Sequence, residues 1–378
     1  MKVDCSHYFE LRRQIHAHPE LSNQEHETTR RIGAFLAQHG LQLQSIPGLT
    51  GGFVRIDTGA PRTLCLRADI DALPLTEDTG APFSSQTPGV MHACGHDMHT
   101  SIAAGVACEL AKKKDQLHCN LVILFQPAEE NNPTGGAKPV VESGFLTDQH
   151  IDEIYGLHMW PSLPVGDIAV KAGPIMAASD KFRVEIFGKT SHAAEPHLGV
   201  DAISIGNDIC LTLTQKLRRE VDAFSPISIS IGSFQTFGRY NIVCGKAVLE
   251  GTMRTTNEQT RAFLQQRIQE VPPQIAHSYR GSAQVTISPG YGVVSNDPDL
   301  FHTFLPCAQQ VLGAEHVHSD IHPSLIGEDF YYFGTQVPAL YFHVGCQSEY
   351  PLHSNHFLPR EEALSVAVDL MTEYFLSL

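Results

Sequence analysis

The sequence predicts an α/β protein of two domains: a mixed sheet flanked by helices, with an α+β unit inserted into it. Three observations carry that prediction. The chain has 378 residues, more than the roughly 250–300 at which a single hydrophobic core stops growing. Stretches such as 63–71 and 120–125 are almost continuously apolar, the pattern of strands covered on both faces. From about Ala177 the texture changes, and 181–188 alternates Phe182, Val184 and Ile186 with charged residues, as a sheet solvated on one face does. The expected boundaries are 1–176 and 292–378 for a discontinuous first domain and 177–291 for the insertion.

Taken in order, Leu11 to His18 reads as the end of a helix broken at Pro19. Ser22 and Glu25 have the spacing of a capping box for a second helix running to about His39. Strands follow at 51–57 and 63–71, the second ending in Arg67, Asp69 and Asp71. Next comes MHACGHDMH, residues 91–99, ahead of a helix marked by Ile102, Val106 and Leu110 at every fourth residue, with Asp97 placed as its cap. The strand 120–125 ends in QPAEE, with Glu129 and Glu130 adjacent, and the strand 153–159 delivers His158. In the insertion, strands near 181–188, 227–234, 247–253 and 283–288 alternate with helices at 201–217 and 257–278. That is a βαββαβ, ferredoxin-like order. After a helix around Leu300 and a strand at 339–344, the motif PLHSNHF brings His353, and Pro359 opens a final amphipathic helix.

Composition narrows the function classes. A hydrophobic content of 42% is enough for a sizeable core. No apolar run reaches the ~18 residues of a membrane span. A net charge of −15 argues against nucleic-acid or anionic-membrane partners. Charges in MKVDCSHYFELRRQIH, where a signal peptide needs an apolar stretch, together with 9 scattered cysteines, predict a cytoplasmic protein with reduced thiols.

Charged or metal-type residues recur at the ends of successive buried strands, where open α/β sheets place their sites. Gathered there are Cys94, His96, Glu129, Glu130, His158 and His353. One thiolate, three imidazoles and two carboxylates are about what two divalent ions need when one group bridges them, with one carboxylate left over. Such a pair lowers the pKa of water and polarises a carbonyl or phosphoryl group. The spare carboxylate can move a proton. Side chains alternate at a strand end, so Glu129 and Glu130 are expected to face differently, one towards metal and one towards water.

These segments resemble the aminoacylase-type two-metal amidohydrolases, the peptidase-like subgroup of hippurate hydrolase, auxin–amino acid conjugate hydrolases and N-acetyl-diaminopimelate deacetylase. LRRQIHAHPELS, RADIDALP, MHACGHDMHT, FQPAEE, YGLHMWP, GKTSHAAEPHLGVDAI, GTMRT, GEDF and PLHSNHF occur in family order. The resemblance implies metal ligands at Cys94, His96, Glu130, His158 and His353, with Cys94 near both ions, and a general base at Glu129. It places Asp69 and Asp71 in the first acidic motif, one of them (Asp71 favoured) orienting a ligand or the base. It implies that His192 supports the oxyanion, from a partner subunit in related enzymes, and that Asn241 and Arg254 hold the substrate carboxylate. Where the family usually reads NVIP, this chain has Asn241-Ile242-Val243-Cys244, and bulky Arg239 and Tyr240 precede it.

The expected activity is hydrolysis of the amide bond of N-acyl amino acids, such as N-acetyl amino acids, or of amino-acid conjugates. The expected cofactors are two divalent ions per chain, zinc or manganese first, then cobalt or nickel. The expected assembly is a homodimer or higher homo-oligomer through the insertion. A dipeptidase or carboxypeptidase on the same site is the alternative. A catalytically silent binding protein is disfavoured by the intact ligand set.

Overall fold

A computed structural model of the chain describes residues 4–378. Contacts divide it into two units. The first takes the chain up to Ile175 with Ser295–His322 and Asp329–Leu378; the second takes Met176–Val294 with Pro323–Glu328. The first unit begins with α1 (Ser6–Ala17), α2 (His26–Gln38), β1 (Gly52–Ile56), β2 (Thr63–Asp69), α3 (His96–Lys112) and β3 (Asn120–Gln126). It continues through α4 (Ala137–Glu142), α5 (Phe145–Asp148), β4 (Glu153–Trp160) and β5 (Ile168–Ala169). The chain leaves along β6 (Gly173–Met176) and builds β7 (Ala178–Phe187), α6 (Ala202–Leu211), β8 (Ile227–Thr236), β9 (Lys246–Thr255), α7 (Glu258–Ser278) and β10 (Ser282–Pro289). It returns along β11 (Val294–Asn296) to α8 (Pro298–Leu312), β12 (Val317–His318), α9 (Tyr331–Gly334), β13 (Ala339–Gly345) and α10 (Glu362–Ser377). Among the described residues, no helix is long and apolar enough to cross a membrane.

The seven-stranded sheet of the first unit runs β1-β3-β2-β4-β13-β5-β12. β2 is parallel to β3 and β4, and β13 is parallel to β4, whereas β1 pairs antiparallel with β3 and β5 antiparallel with β13, with β12 parallel to β5. The four central strands therefore end at one edge of the sheet. Every residue of β2, β3 and β13 is buried, which is why their sequences lack alternation. α3 packs against α1 and α10. Its Met98, Ile102, Val106 and Leu110 are fully buried, and Ala103, Ala104 and Ala107 beside them let the helices approach. Each such large side chain contributes about 1.5–3 kcal/mol by leaving water.

Two caps differ from the sequence expectation. α2 begins at His26 and has no side-chain bond at its N-cap, Glu25. The first-turn donors go to Glu20, which accepts from the N–H of Thr28 at 2.7 Å. Ser22 donates to Asp71, and Glu25 accepts from the Ala128 N–H, so both candidate cap residues turn towards the sheet edge instead. Asp97 likewise does not cap α3. It is buried and accepts from Arg12 Nε at 2.7 Å, because a buried carboxylate is stabilised more by a guanidinium than by backbone N–H groups.

The second unit is a four-stranded antiparallel sheet, β10-β7-β9-β8, which is the βαββαβ arrangement expected. Phe182, Val184, Ile186 and Leu249 of the sheet meet Ile205, Leu264 and Ile268 of α6 and α7 in one core. Arg183, Glu185 and Glu250 carry ion pairs from the same strands. α6 loses regular geometry after Leu211, earlier than expected, and continues as wider and then tighter turns to Glu220. β8 is an edge strand.

Candidate metal centre

The turn before α3 is built on Gly95, whose φ of 87° lies in the left-handed region that glycine adopts without a Cβ penalty. That turn sends Cys94 and His96 to the sheet edge where β2, β3 and β4 end. Cys94, His96 and His158 offer ligand atoms within 4.8 Å of one another, as do Cys94, Glu130 and His353. The Cys94 Sγ lies 3.4 Å from His158 Nε2 and 3.3 Å from His353 Nε2, so one sulfur belongs to both sets. The His353 Nε2 is also 3.1 Å from Glu130.

Neighbouring hydrogen bonds decide which ring nitrogens are free. His158 Nδ1 is 2.8 Å from the carbonyl of Met159 and must donate to it, which leaves Nε2 as a lone pair facing Cys94. His96 Nδ1 is 2.9 Å from the Asp71 carbonyl and 3.1 Å from the Asp71 carboxylate. Its Nε2 is buried with no hydrogen-bond partner. Asp71 also accepts from Ser22 and from the Glu130 N–H at 3.0 Å, so it orients one imidazole and the backbone of a carboxylate together. His99 lies close enough to Asp69 and His96 to look like a ligand. Both its nitrogens are in use, however: Nδ1 donates to Asp69 at 2.6 Å and Nε2 accepts from the Met159 N–H at 2.9 Å.

The field at this edge favours positive charge. Burial raises the Cys94 thiol pKa well above its usual range, and Glu130, Glu129 and Asp69 push it further. Burial opposes protonation of His96, but Asp69 and Asp71 outweigh it and carry the imidazole up to about 10. His158, buried beside His99, is held well below the usual imidazole range. The carboxylates of Asp69 and Asp71 are stabilised as anions against burial, chiefly by His96. Soft sulfur, lone-pair imidazoles and surplus negative charge together fit divalent transition metals.

Glu129 and Glu130 do not sit on a strand. β3 ends at Gln126, and a turn through Ala128, φ 59°, presents both carboxylates to His96. Strand alternation therefore does not separate them. What does is the company each keeps: Glu130 is grouped with Cys94 and His353, whereas Glu129 is buried and accepts from the Asp329 N–H.

The remaining sequence-predicted residues lie in the second unit. His192 and Asn241 are exposed and adjacent, joined by a bridge of His192 to Ile242 and a bond from the Ala193 N–H to the Asn241 carbonyl. His192 Nδ1 accepts from the Ala194 N–H at 3.1 Å, which puts the proton of the neutral ring on Nε2 as a free donor. Arg254 is at the other end of the sheet. It pairs with Ser179 at the start of β7, while Phe187 and Lys246 mark the end nearest His192. Eight residues of strand, roughly 26 Å at ~3.3 Å each, separate the two ends.

Sequence reasoning gave no role to Asp329. Its only signal was the GEDF motif, far along the chain from the other site residues. In the fold its carboxylate accepts from Arg67 Nη2 at 2.7 Å, and Arg67 also donates to Asp69 at 2.6 Å.

An α/β sheet edge with one cysteine sulfur common to a two-imidazole set and an imidazole–carboxylate set defines a metal-binding hydrolase scaffold. Residues 65–377 match the model of peptidase family M20/M25/M40. The chain belongs to that family and is a hydrolase of amide C–N bonds. It is 35% identical over 368 residues to the N-acetylcysteine deacetylase of Bacillus subtilis (strain 168), covering 96% of this chain and 94% of that protein. It is 33% identical to thermostable carboxypeptidase 2 of Saccharolobus solfataricus, covering 94% and 91%. Among solved structures it is similar to the Bacillus subtilis YXEP protein, described as a dinuclear metal-binding peptidase of the M20 family. That likeness has a TM-score of 0.84 and 33% identity, with 98% of this chain and 97% of that one covered.

Proposed function

We propose that the protein hydrolyses N-acyl amino acids at a pair of divalent metal ions. The observation that carries this reading is the single Cys94 sulfur within 3.4 Å of both His158 and His353, each of which turns Nε2 towards it. Cys94, His96, His158, Glu130 and His353 would hold the ions, the Cys94 sulfur being common to both groups of ligand atoms. Zinc or manganese suits this donor set, with cobalt or nickel as alternatives. When bound, such ions lower the pKa of water and polarise a carbonyl.

Glu129 takes a proton from the attacking water and returns it to the leaving nitrogen. Asp71 keeps His96 in its Nε2-presenting tautomer, and Asp69, tied to Arg67 and His99, backs the same edge. His192 donates from Nε2 to the oxyanion, and Asn241 and Arg254 take the substrate carboxylate. Arg254 lies eight strand residues, ~26 Å, from the sheet end nearest His192, which supports a second copy of the chain supplying His192 and Asn241. The edge strand β8 and exposed Ile203 and Leu211 on α6 support pairing through the second unit, which acts as lid and dimerisation domain. All nine cysteines are free, in keeping with a reducing compartment such as the cytoplasm.

The deciding experiment is a release assay with metal-loaded protein on N-acetyl amino acids and on dipeptides with free amines. The proposal expects turnover of the acylated substrates. Turnover of free-amine dipeptides alone would favour the carboxypeptidase or dipeptidase reading, and no turnover of either would favour a silent binding protein.

A further inference from the structure

The Asp329 carboxylate is among the most heavily bonded groups at the sheet edge, although it contributes no ligand atom to the sets around Cys94. One oxygen accepts from Arg67 Nη2 at 2.7 Å and from Gln126 Nε2 at 3.1 Å. The other accepts from the same Gln126 nitrogen at 2.9 Å and from the N–H groups of Gly136 and Ala137, each at 2.8 Å. Gly136 has no room for a side chain there, because a Cβ would stand 1.6 Å from the Pro127 carbonyl oxygen. Arg67 is itself held, by Gln126 Oε1 at 2.7 Å and by Asp69 at 2.6 Å. Asp329 thus ties together the end of β2, the end of β3 and both flanks of the Pro127–Gly136 turn.

The backbone of the same residue reaches the reacting carboxylate. The Asp329 N–H donates to Glu129 Oε1 at 3.4 Å, a long bond of the kind that tightens in a substrate complex. Asp329 is also where the chain re-enters the first unit after Pro323–Glu328, a segment that belongs to the second. Within the second unit that segment is fixed by the bond from the Ala177 N–H to the Ile326 carbonyl at 3.0 Å and by Gly327 lying against the Arg254 guanidinium.

We propose that Asp329 is a positioning residue for Glu129: its side chain, locked by Arg67, Gln126 and two backbone N–H groups, fixes the main-chain donor that holds the Glu129 carboxylate in its reacting orientation. The proposal rests on Glu129 being the general base. Asp329 touches neither substrate nor metal in this account. Its removal should slow the proton-transfer step without changing how tightly substrate or metal is held.

The test is Asp329→Asn in the full-length, metal-loaded enzyme. Because both oxygens face donors, the carboxamide meets an N–H in either orientation, so the clamp is lost while size is kept. The kcat should fall by ~10-fold or more with KM and metal content near wild type. In a Glu129→Gln background the same change should cost less than about twofold, because the group it positions no longer reacts. If Asp329→Asn does not fold by circular dichroism, Asp329→Glu, which keeps the charge but shifts the oxygens, carries the same pair of measurements. A full multiplicative loss in the Glu129→Gln background, or a loss that tracks missing metal, overturns the proposal. Undiminished turnover of Glu129→Gln alone would overturn the general-base assignment beneath it.

Discussion

The sheet edge around Cys94 and the tip around His192 are built on opposite plans. At the edge, Asp69, Asp71, His96, His99 and His158 are buried. Each has partners that set its charge, its tautomer or both. At the tip, His192 and Asn241 are exposed, Tyr240 beside them is 96% exposed, and the bonds in reach come from the loop's own backbone. The edge is complete within one unit and preorganised, with the cost of burying its polar groups offset by mutual hydrogen bonds. On the proposed reading, the preorganised edge carries the chemistry and the exposed tip supplies the oxyanion donor.

The largest expected effect breaks the edge at Glu129, the proposed proton carrier. Glu129→Gln keeps size and an accepting oxygen but cannot take the proton. The kcat should fall by ~10²–10⁴-fold, with metal content retained and KM near native. Glu130→Gln should instead empty a metal position, measured by elemental analysis. If the two phenotypes are exchanged, the roles are exchanged.

The next prediction joins the two regions. His192→Ala and Glu129→Gln chains, each inactive alone, should regain activity when mixed and refolded into verified hybrids, because one site then has both groups intact. Hybrids that stay dead would place His192 in the service of its own chain.

A smaller effect concerns a bond behind a ligand. Asp71→Asn still reaches His96 but no longer offers a carboxylate to its Nδ1–H. Metal affinity, measured by competition with a chelator, should weaken by ~10–100-fold. Native affinity would mean that the Asp71 carbonyl alone orients the ring.

The smallest prediction lies away from the metals, in the buried chain Glu77–His16–Asp97–Arg12. Burial raises the Glu77 pKa, but bonds from His16, Thr79 and the Ser85 N–H outweigh it and pull it from 4.5 down to about 2. A folded pKa below the unfolded one stabilises the protein above pH ~4.5, and the contribution is lost as pH falls towards 2. Glu77→Gln should therefore flatten the fall of Tm between pH 4.5 and 2. An unchanged acid limb would mean that Glu77 is not linked to folding.

Much of the edge was legible in the sequence because its donors sit at the ends of apolar runs, and a run of buried residues announces where a strand stops. The turn geometry was not. Glu129 and Glu130 follow Pro127 and a left-handed Ala128, and no periodicity signals that both will face one imidazole. Asp97 looked like a cap because caps are local, whereas its partner Arg12 lies 85 residues away. Asp329, some 200 residues from Glu129, was visible only as a motif without a task. Likewise the placement of Arg254 at the sheet end away from His192 follows from the pairing of β7 with β9, a long-range contact that no local motif announces.

The central claim is that one sulfur serves two ions. Elemental analysis of purified, fully active protein and of Cys94→Ala tests it most directly. The account predicts two divalent ions per chain in the wild type, and loss of metal and of activity together in the variant. A single ion at full activity, or a Cys94→Ala protein that keeps both ions and turns over substrate, would contradict it.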